Sequence, residues 1–508
     1  MATLSETARA QQHTRRRGDT AWLLAISGAV MLLHLLTNGR YGFHRDELQF
    51  LSDARHLAWG FVAFPPLTPF VERISLELFG LNLVGLRLFS VLAQSAAIVL
   101  TGLMARQLGG GRVAQLAAAL SVALSGLPLF NGTEFQYTSF AFLWWVLLAY
   151  FVIRLLKSEN PRWWLAVGAV AGVGLMTKYA ILFFIAGILG GFLLTRARRL
   201  MASRYFAAAL ALTVLICLPN LIWQVQHQFI SYTFLQHIHV RDVGEGRAEG
   251  FWRDQFLVCT NLFAAPLWIA GLAAALIRPR WRPLAWMYII PVAMFAMSQG
   301  RGYYTAGAYP MMMAMGAAAC ERWLGSWRRG WRIAVEALFF AGVAFGGAWA
   351  CAVIIPLAGS GPLMRYALSR NGNLREEIGW NQLVRTVAQI RDSLTPEQQA
   401  HLGITTGNYG EYGAIEILGP AYRLPQPIGT TNSEWLWGYP ANPPTTIIAL
   451  GIRPDQANQL FTNCRVAGHN GNAQSIPNEE STDHPWIFLC GPARIPWTEI
   501  WKEHRDFG

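Results

Sequence analysis

Apolar residues run along this chain in long blocks separated by short arginine-rich segments. Eleven blocks stand out, near 21–37, 84–105, 113–130, 138–156, 162–177, 179–195, 204–223, 256–277, 284–299, 304–320 and 333–355. A bilayer core takes about 20 apolar residues per helix, so each block predicts a membrane-spanning helix. The fifth and sixth nearly fuse through Thr177-Lys178-Tyr179, which predicts a tight hairpin there. No small-residue cleavage site follows the first block, so it does not read as a cleavable signal peptide.

The polar segments give the topology. Arg15-Arg16-Arg17, Arg106 with Arg112, Arg154 with Lys157 and Arg162, Arg196 to Arg204, Arg278 to Arg282, and Arg322 to Arg332 fall at every second boundary. Positive loops stay in the cytoplasm. The N-terminal segment 1–20 is therefore expected in the cytoplasm. Residues 21–355 read as a membrane domain whose first external loop is 38–83, and 356–508 as a periplasmic tail. Short strand-like pieces (Gly403–Thr406, Thr445–Ile452, Trp486–Leu489) alternate in the tail with helix-like ones (Glu411–Leu418, Asp455–Phe461), which predicts a small α/β domain. The expected localisation is the bacterial inner membrane.

Composition supports this reading. The 508 residues are 53% hydrophobic and only 14% charged, against about 25% charged in soluble domains. An ordinary soluble enzyme and a disordered chain are both excluded. The net charge of +12 suggests nucleic acid at first sight, but only Lys157, Lys178 and Lys502 of the 41 basic residues are lysines. The arginines sit where topology needs them, so no nucleic-acid partner is expected. Four cysteines lie in apolar blocks, as small hydrophobes. Cys464 and Cys490 lie in the tail, where an oxidising compartment would let them close a loop of about 26 residues, worth roughly 3 kcal/mol in the chain-entropy model.

Candidate chemistry gathers on the outer face. His44-Arg45-Asp46-Glu47 follows the first block by a few residues. Adjacent carboxylates at a membrane surface must be solvated, paired or bound to a cation. Leu48, Leu51, Ala54, Ala58 and Phe61 then recur at helical spacing, which predicts an amphipathic helix lying in the interface, broken by Pro65-Pro66. A second such helix follows, with Phe70, Ile74, Leu78 and Phe79 on one face and Glu72, Arg73 and Glu77 elsewhere. The topology places Glu134, Lys178, Arg301, Tyr303 and Tyr304 on the same side. Cations suit a phosphate, and a carboxylate suits proton removal from an acceptor. A divalent cation at Asp46 or Glu47 is chemically reasonable, although no zinc spacing is present. His237-Ile238-His239 would turn both imidazoles the same way if extended.

Several of these pieces resemble one family. Arg45-Asp46-Glu47-Leu48, Pro65-Pro66-Leu67 and Leu78-Phe79-Gly80 with Gly85-Leu86-Arg87 are similar to the bacterial branch of the GT-C membrane glycosyltransferases, which includes protein O-mannosyltransferases and lipid A aminoarabinose transferases. The likeness continues through Gly172 to Tyr179, Pro219 to Gln224, and Tyr303-Tyr304 with Tyr309-Pro310. In the tail it covers Asn408 to Ile415 and Trp435 to Gly438. The resemblance implies a GT-C-like helical membrane domain of about 11 spans with a small α/β periplasmic domain. It also implies a sugar donor linked to polyprenyl phosphate and a catalytic acid in the first external loop. That role carries over to Asp46, with Glu47 beside it. Many members carry an Asp after the third span, where this chain has Glu134.

The expected reaction is hexosyl or pentosyl transfer with inversion to a glycan, lipid or protein. Asp46 is the expected general base. Lys178 and Arg301, with a divalent metal as a further candidate, would hold the phosphate. His44, Arg45, Glu134, Tyr303 and Tyr304 complete the expected substrate-binding set. A transporter or a non-catalytic assembly scaffold is the alternative. Few charges at mid-span, no internal repeat and a large external tail argue against transport.

Overall fold

The computed structural model describes residues 2–508, with side chains from residue 18 onward. The Arg15, Arg16 and Arg17 side chains, used above for topology, lie outside the described residues. By its contacts the chain forms two units. One holds Met1–Thr37, Arg87–Ile222 and Asp242–Ile355; the other holds Asn38–Leu86, Trp223–Arg241 and Pro356–Gly508. The segment 38–86, expected above to hold the first external loop, therefore groups with the tail. Long-range hydrogen bonds make that grouping: Gly42 donates its N–H to Glu377 O at 3.0 Å, and Tyr41 its hydroxyl to Ala358 O at 3.0 Å.

The first unit is helical throughout its apolar blocks. Among the described residues, five helices are long and apolar enough to cross a membrane: Gly18–Thr37, Leu83–Gln107, Tyr137–Ser158, Arg204–Gln226 and Arg329–Ile354. A sixth span arises if Phe251–Leu257 and Leu262–Ile277, bent by 87°, count as one. The other blocks form shorter helices, including Arg112–Ala123, Trp163–Leu175, Ile181–Leu193 and Arg282–Met297. Every apolar block is thus helical, but about half of the eleven are too short to span alone. Helices Ala265–Ile277 and Tyr309–Leu324 meet backbone to backbone at Gly271 and Gly316, where any Cβ would overlap the Met312 and Leu267 carbonyls. Such close approach through small residues drives helix packing where lipid removes the hydrophobic contrast.

The second unit combines two helices of the first external loop with the tail. Helix Arg45–Arg55 is not the surface-lying helix expected from its periodicity. Residues Glu47 through Ala54 are all buried, Ser52 and Asp53 included. Its polar side is covered by helix Tyr409–Leu418, as the contact of Ser52 Oγ with the Glu416 carboxylate shows. Helix Leu67–Phe79 is turned the other way. Thr68, Glu72 and Ser75, spaced along one face, are buried, while Ile74 and Leu78 are 52% and 64% exposed. Polar-in and apolar-out is the orientation of a helix whose outer face meets lipid.

The tail carries a five-stranded sheet. Its strands are β1 (Leu402–Thr406), β2 (Pro427–Gly429), β3 (Thr446–Ala449), β4 (Arg465–His469) and β5 (Trp486–Cys490). Their order is β2-β1-β3-β5-β4, with β2, β1 and β3 parallel and the other two pairings antiparallel. Helix Tyr409–Leu418 links β1 to β2, as parallel pairing requires a crossover. Ile428, Ile447, Phe461, Phe488 and Trp497 form the core on one side. Cys464 and Cys490 are joined by a disulfide between the start of β4 and the end of β5.

Candidate active site

The expected site residues fall into two groups, one in each unit. In the second unit, His44 caps helix Arg45–Arg55: its Nδ1 accepts the Asp46 backbone N–H at 3.2 Å. Glu47 completes a capping box by accepting the His44 N–H at 2.8 Å, and its side chain is fully buried. Both residues therefore build the helix start. Asp46 is different. Its side chain keeps 29% of its surface exposed, and its Oδ1 accepts the Tyr409 hydroxyl at 3.0 Å. Arg45 pairs with Glu479 and lies 5.4 Å above the Tyr409 ring, so its charge is engaged within the protein.

The pair Asp46 and Glu47 does not fit a metal ion. Neighbouring side chains on a helix diverge by about 100°, and Glu47 is committed to the cap. Among the described residues no group of three or more His, Cys, Asp or Glu side chains is placed to hold one. His237 and His239 lie within helix Ile230–Gly244 rather than in an extended segment, which turns their imidazoles apart and removes that pair as well.

Sequence periodicity missed a set of buried carboxyls around this group. Asp53 and Glu72 have no hydrogen-bond partner for either oxygen. Burial, then the neighbouring acids, pushes both well above the ordinary carboxyl range. Glu411 and Glu434 are held up in the same way. The one usable signal was the stripe Thr68, Glu72, Ser75, which is polar at helical spacing and marks an inward face.

In the first unit, Lys178 occupies the turn between helices Trp163–Leu175 and Ile181–Leu193. Its neighbours pin that turn: Thr177 Oγ1 accepts the Trp144 indole N–H at 2.9 Å, and the Tyr179 hydroxyl donates to Asn220 Oδ1 at 2.8 Å. The Lys178 ammonium lies between two rings, 4.2 Å from the Tyr137 centroid and 4.4 Å from that of Tyr304. It lines a small pocket together with Leu127, Phe142, Trp145, Tyr303 and Tyr304 among others. No carboxylate pairs with it among the described residues. Burial, and secondly Arg301, lowers its pKa. An anion placed beside it would restore the charged form.

Arg301 differs from Lys178 in being already neutralised. It donates from Nε and Nη2 to the two Asp242 oxygens, both at 2.6 Å, and from Nη1 to the Tyr303 hydroxyl at 3.5 Å. Asp242 is missing from the expected set because it lies in a polar stretch with no periodic signal. Glu134 is buried, and its Oε2 accepts from Gln136 Nε2 at 3.2 Å.

Comparison with known proteins bears on the family and the fold. Residues 64–223 match the family described as dolichyl-phosphate-mannose-protein mannosyltransferase. The chain is 31% identical over 234 residues to the lipid A galacturonosyltransferase RgtD of Rhizobium johnstonii, covering 44% of this chain and 48% of that protein. It is 27% identical over 263 residues to an undecaprenyl phosphate-alpha-4-amino-4-deoxy-L-arabinose arabinosyl transferase of Pseudomonas aeruginosa, covering 48% and 47%. In sequence, then, the chain spans about half the length of the curated relatives it matches. The fold matches further: ArnT from Cupriavidus metallidurans in the apo state aligns with a TM-score of 0.61 at 15% identity, over 92% of this chain and 98% of that one. The same protein bound to undecaprenyl phosphate aligns with a TM-score of 0.56, at the same identity and coverage. In sequence over the matched half and in fold over nearly its whole length, the chain is similar to the GT-C membrane glycosyltransferases of the lipid A aminoarabinose transferase type.

Proposed function

We propose that this multi-pass membrane protein transfers a sugar from a polyprenyl-phosphate donor to a glycan, lipid or protein hydroxyl on the periplasmic side of the inner membrane. The observation that carries this reading is Lys178: a buried cation, held between two aromatic rings in the lining of a mostly apolar pocket, with no carboxylate partner among the described residues. Leaving an ammonium buried and unpaired is costly, and a lipid-linked phosphate supplies the missing charge. The relatives, named as a lipid A galacturonosyltransferase and an undecaprenyl phosphate-aminoarabinose transferase, support the same donor class.

The mechanism follows from leaving-group chemistry. A lipid phosphate departs as a stable anion, so it needs charge stabilisation rather than protonation, and Lys178 provides it. The acceptor oxygen attacks the anomeric carbon as the carbon–oxygen bond to phosphate breaks. The hydroxyl proton passes to Asp46, the one candidate acid that is both partly exposed and outside the helix cap. A single displacement of this kind inverts the anomeric configuration. Glu47 and His44 act only by building the helix that carries Asp46.

Asp46→Asn keeps size and leaves the His44–Glu47 cap intact, but removes the basic oxygen. Turnover of a radiolabelled polyprenyl-phosphate sugar should fall about 10²–10⁴-fold with donor binding retained. Wild-type turnover in this variant would overturn the assignment. Transport of the donor in vesicles without transfer would overturn the reaction class.

A further inference from the structure

Tyr409 meets Asp46 across 363 residues of sequence, and three features make the meeting specific. First, the tail's helix Tyr409–Leu418 starts at this point: Asn408 caps it by accepting the Glu411 N–H at 2.9 Å. Tyr409 is the first helical residue, so its side chain leaves the helix end rather than its middle. Second, this helix lies directly on the helix that bears Asp46. At Gly413 a Cβ would stand 2.5 Å from the Leu48 carbonyl oxygen, and at Gly410 it would stand 3.0 Å from Arg45 Cβ. Only residues without side chains let the backbones come this close. Third, the phenol ring is clamped from above. The Arg45 guanidinium covers it and is itself tied to Glu479, whose N–H meets the Glu376 carboxylate at 3.3 Å.

We propose that Tyr409 is a positioning residue for Asp46, donating a hydrogen bond that holds the carboxylate in the rotamer in which it receives the acceptor proton. The tail is then part of the catalytic machinery. This role rests on the reading of Asp46 as general base. Burial, and secondly the Asp46 charge, raises the Tyr409 pKa well above the ordinary phenol value, so the hydroxyl stays protonated and acts as a donor. A base held in one rotamer loses no time in unproductive orientations, an advantage felt in turnover rather than in donor binding. Arg45 covers the ring and also lies beside the carboxylate itself, its Nε 4.0 Å from Asp46 Oδ1, so the phenol and the guanidinium meet the same oxygen.

The test is Tyr409→Phe in the full-length protein, assayed with a polyprenyl-phosphate sugar and its acceptor. A hydrogen bond to a charged group accounts for about 10–100-fold in rate. We expect kcat to fall by that factor, with the donor KM within roughly twofold and the melting temperature little changed. Adding Tyr409→Phe to Asp46→Asn should cause no further loss, because the group being positioned is gone. An unaltered kcat in Tyr409→Phe, or an equal fall in the Asp46→Asn background, would overturn the proposal. A Tyr409→Phe protein that no longer folds would also overturn it, since the hydroxyl would then be structural. If Asp46→Asn abolishes turnover while Tyr409→Phe does not affect it, only the role of Tyr409 fails. If Asp46→Asn turns over like the wild type, the reading of Asp46 fails and this role with it.

Discussion

Arg301 holds Asp242 through two hydrogen bonds of 2.6 Å, whereas Lys178 has two aromatic rings and, among the described residues, no acid. The two cations were equivalent candidates in the sequence. In the structure they have different work. Lys178 has no carboxylate beside it among the described residues, and Arg301 already holds one. Arg301 contributes to the region by anchoring Asp242 and by lowering the pKa of Lys178.

This separates their mutants. Lys178→Gln should fold normally and lower kcat/KM for the donor by about 10–100-fold, the range for a hydrogen bond to a charged group. Arg301→Gln should act mainly on stability, because it removes the two 2.6 Å hydrogen bonds to Asp242 and leaves that carboxylate the longer contact with Arg247 Nη1 at 3.5 Å. Breaking a buried pair costs about 3–5 kcal/mol. With the Arg301 side chain 24% exposed, the cost should fall at or below the low end of that range. Arg301→Gln combined with Asp242→Asn should recover part of the lost melting temperature. Equal kinetic defects and equal stabilities in the two single variants would refute the distinction.

The disulfide predicts both stability and sidedness. Cys464–Cys490 closes a 26-residue separation in the tail. Replacing both by Ser should destabilise the tail by roughly 3 kcal/mol, measured as a lower denaturant midpoint. Thiol labelling of the denatured, unreduced protein should miss both residues. Full labelling of either in protein taken directly from cells would place the tail in a reducing compartment.

Stability of the tail-bearing unit should fall as pH rises from about 5 to about 8. Burial, with Glu376 second, raises Glu480 from 4.5 to about 8. Its folded pKa lies above its unfolded one, so the stabilising contribution is complete below about 4.5 and is lost as pH climbs through about 8. Asp53, Glu72, Glu411 and Glu434 shift the same way. Glu480→Gln should therefore flatten the decline in melting temperature without abolishing it. A wild-type melting temperature that rises across this window would contradict the sign.

Topology is checked by reporter fusions after Arg199 and after Pro362. The alternating arginine loops predict a cytoplasmic signal from the first and a periplasmic one from the second. A cytoplasmic signal from both would dismiss the map.

Local chemistry made much of this architecture readable. Each apolar block is a helix because 20-odd apolar residues leave the backbone only itself to hydrogen-bond in lipid. The strands Gly403–Thr406 and Trp486–Leu489 and the helix Glu411–Leu418 were visible because alternation and capping act over a few residues. Strands β2 and β4 were not. Pro427–Gly429 has three residues, and β4 has a register shift at Val466/Gly468, so neither shows a clean alternation.

The roles of the candidate residues depended on partners far away in sequence. Asp46 and Glu47 are neighbours with the same chemistry, and only the folded chain distinguishes them: one meets Tyr409 and the other closes a cap on His44. The periodicity of residues 45–55 correctly predicts a helix but not which side is covered, because Gly410 and Gly413 bring a helix from the tail against it. Secondary structure follows from contacts within a few residues, which a pattern along the chain records. Burial, charge pairing and the pKa of an acid follow from what packs on it across hundreds of residues, and that is set by tertiary contacts alone.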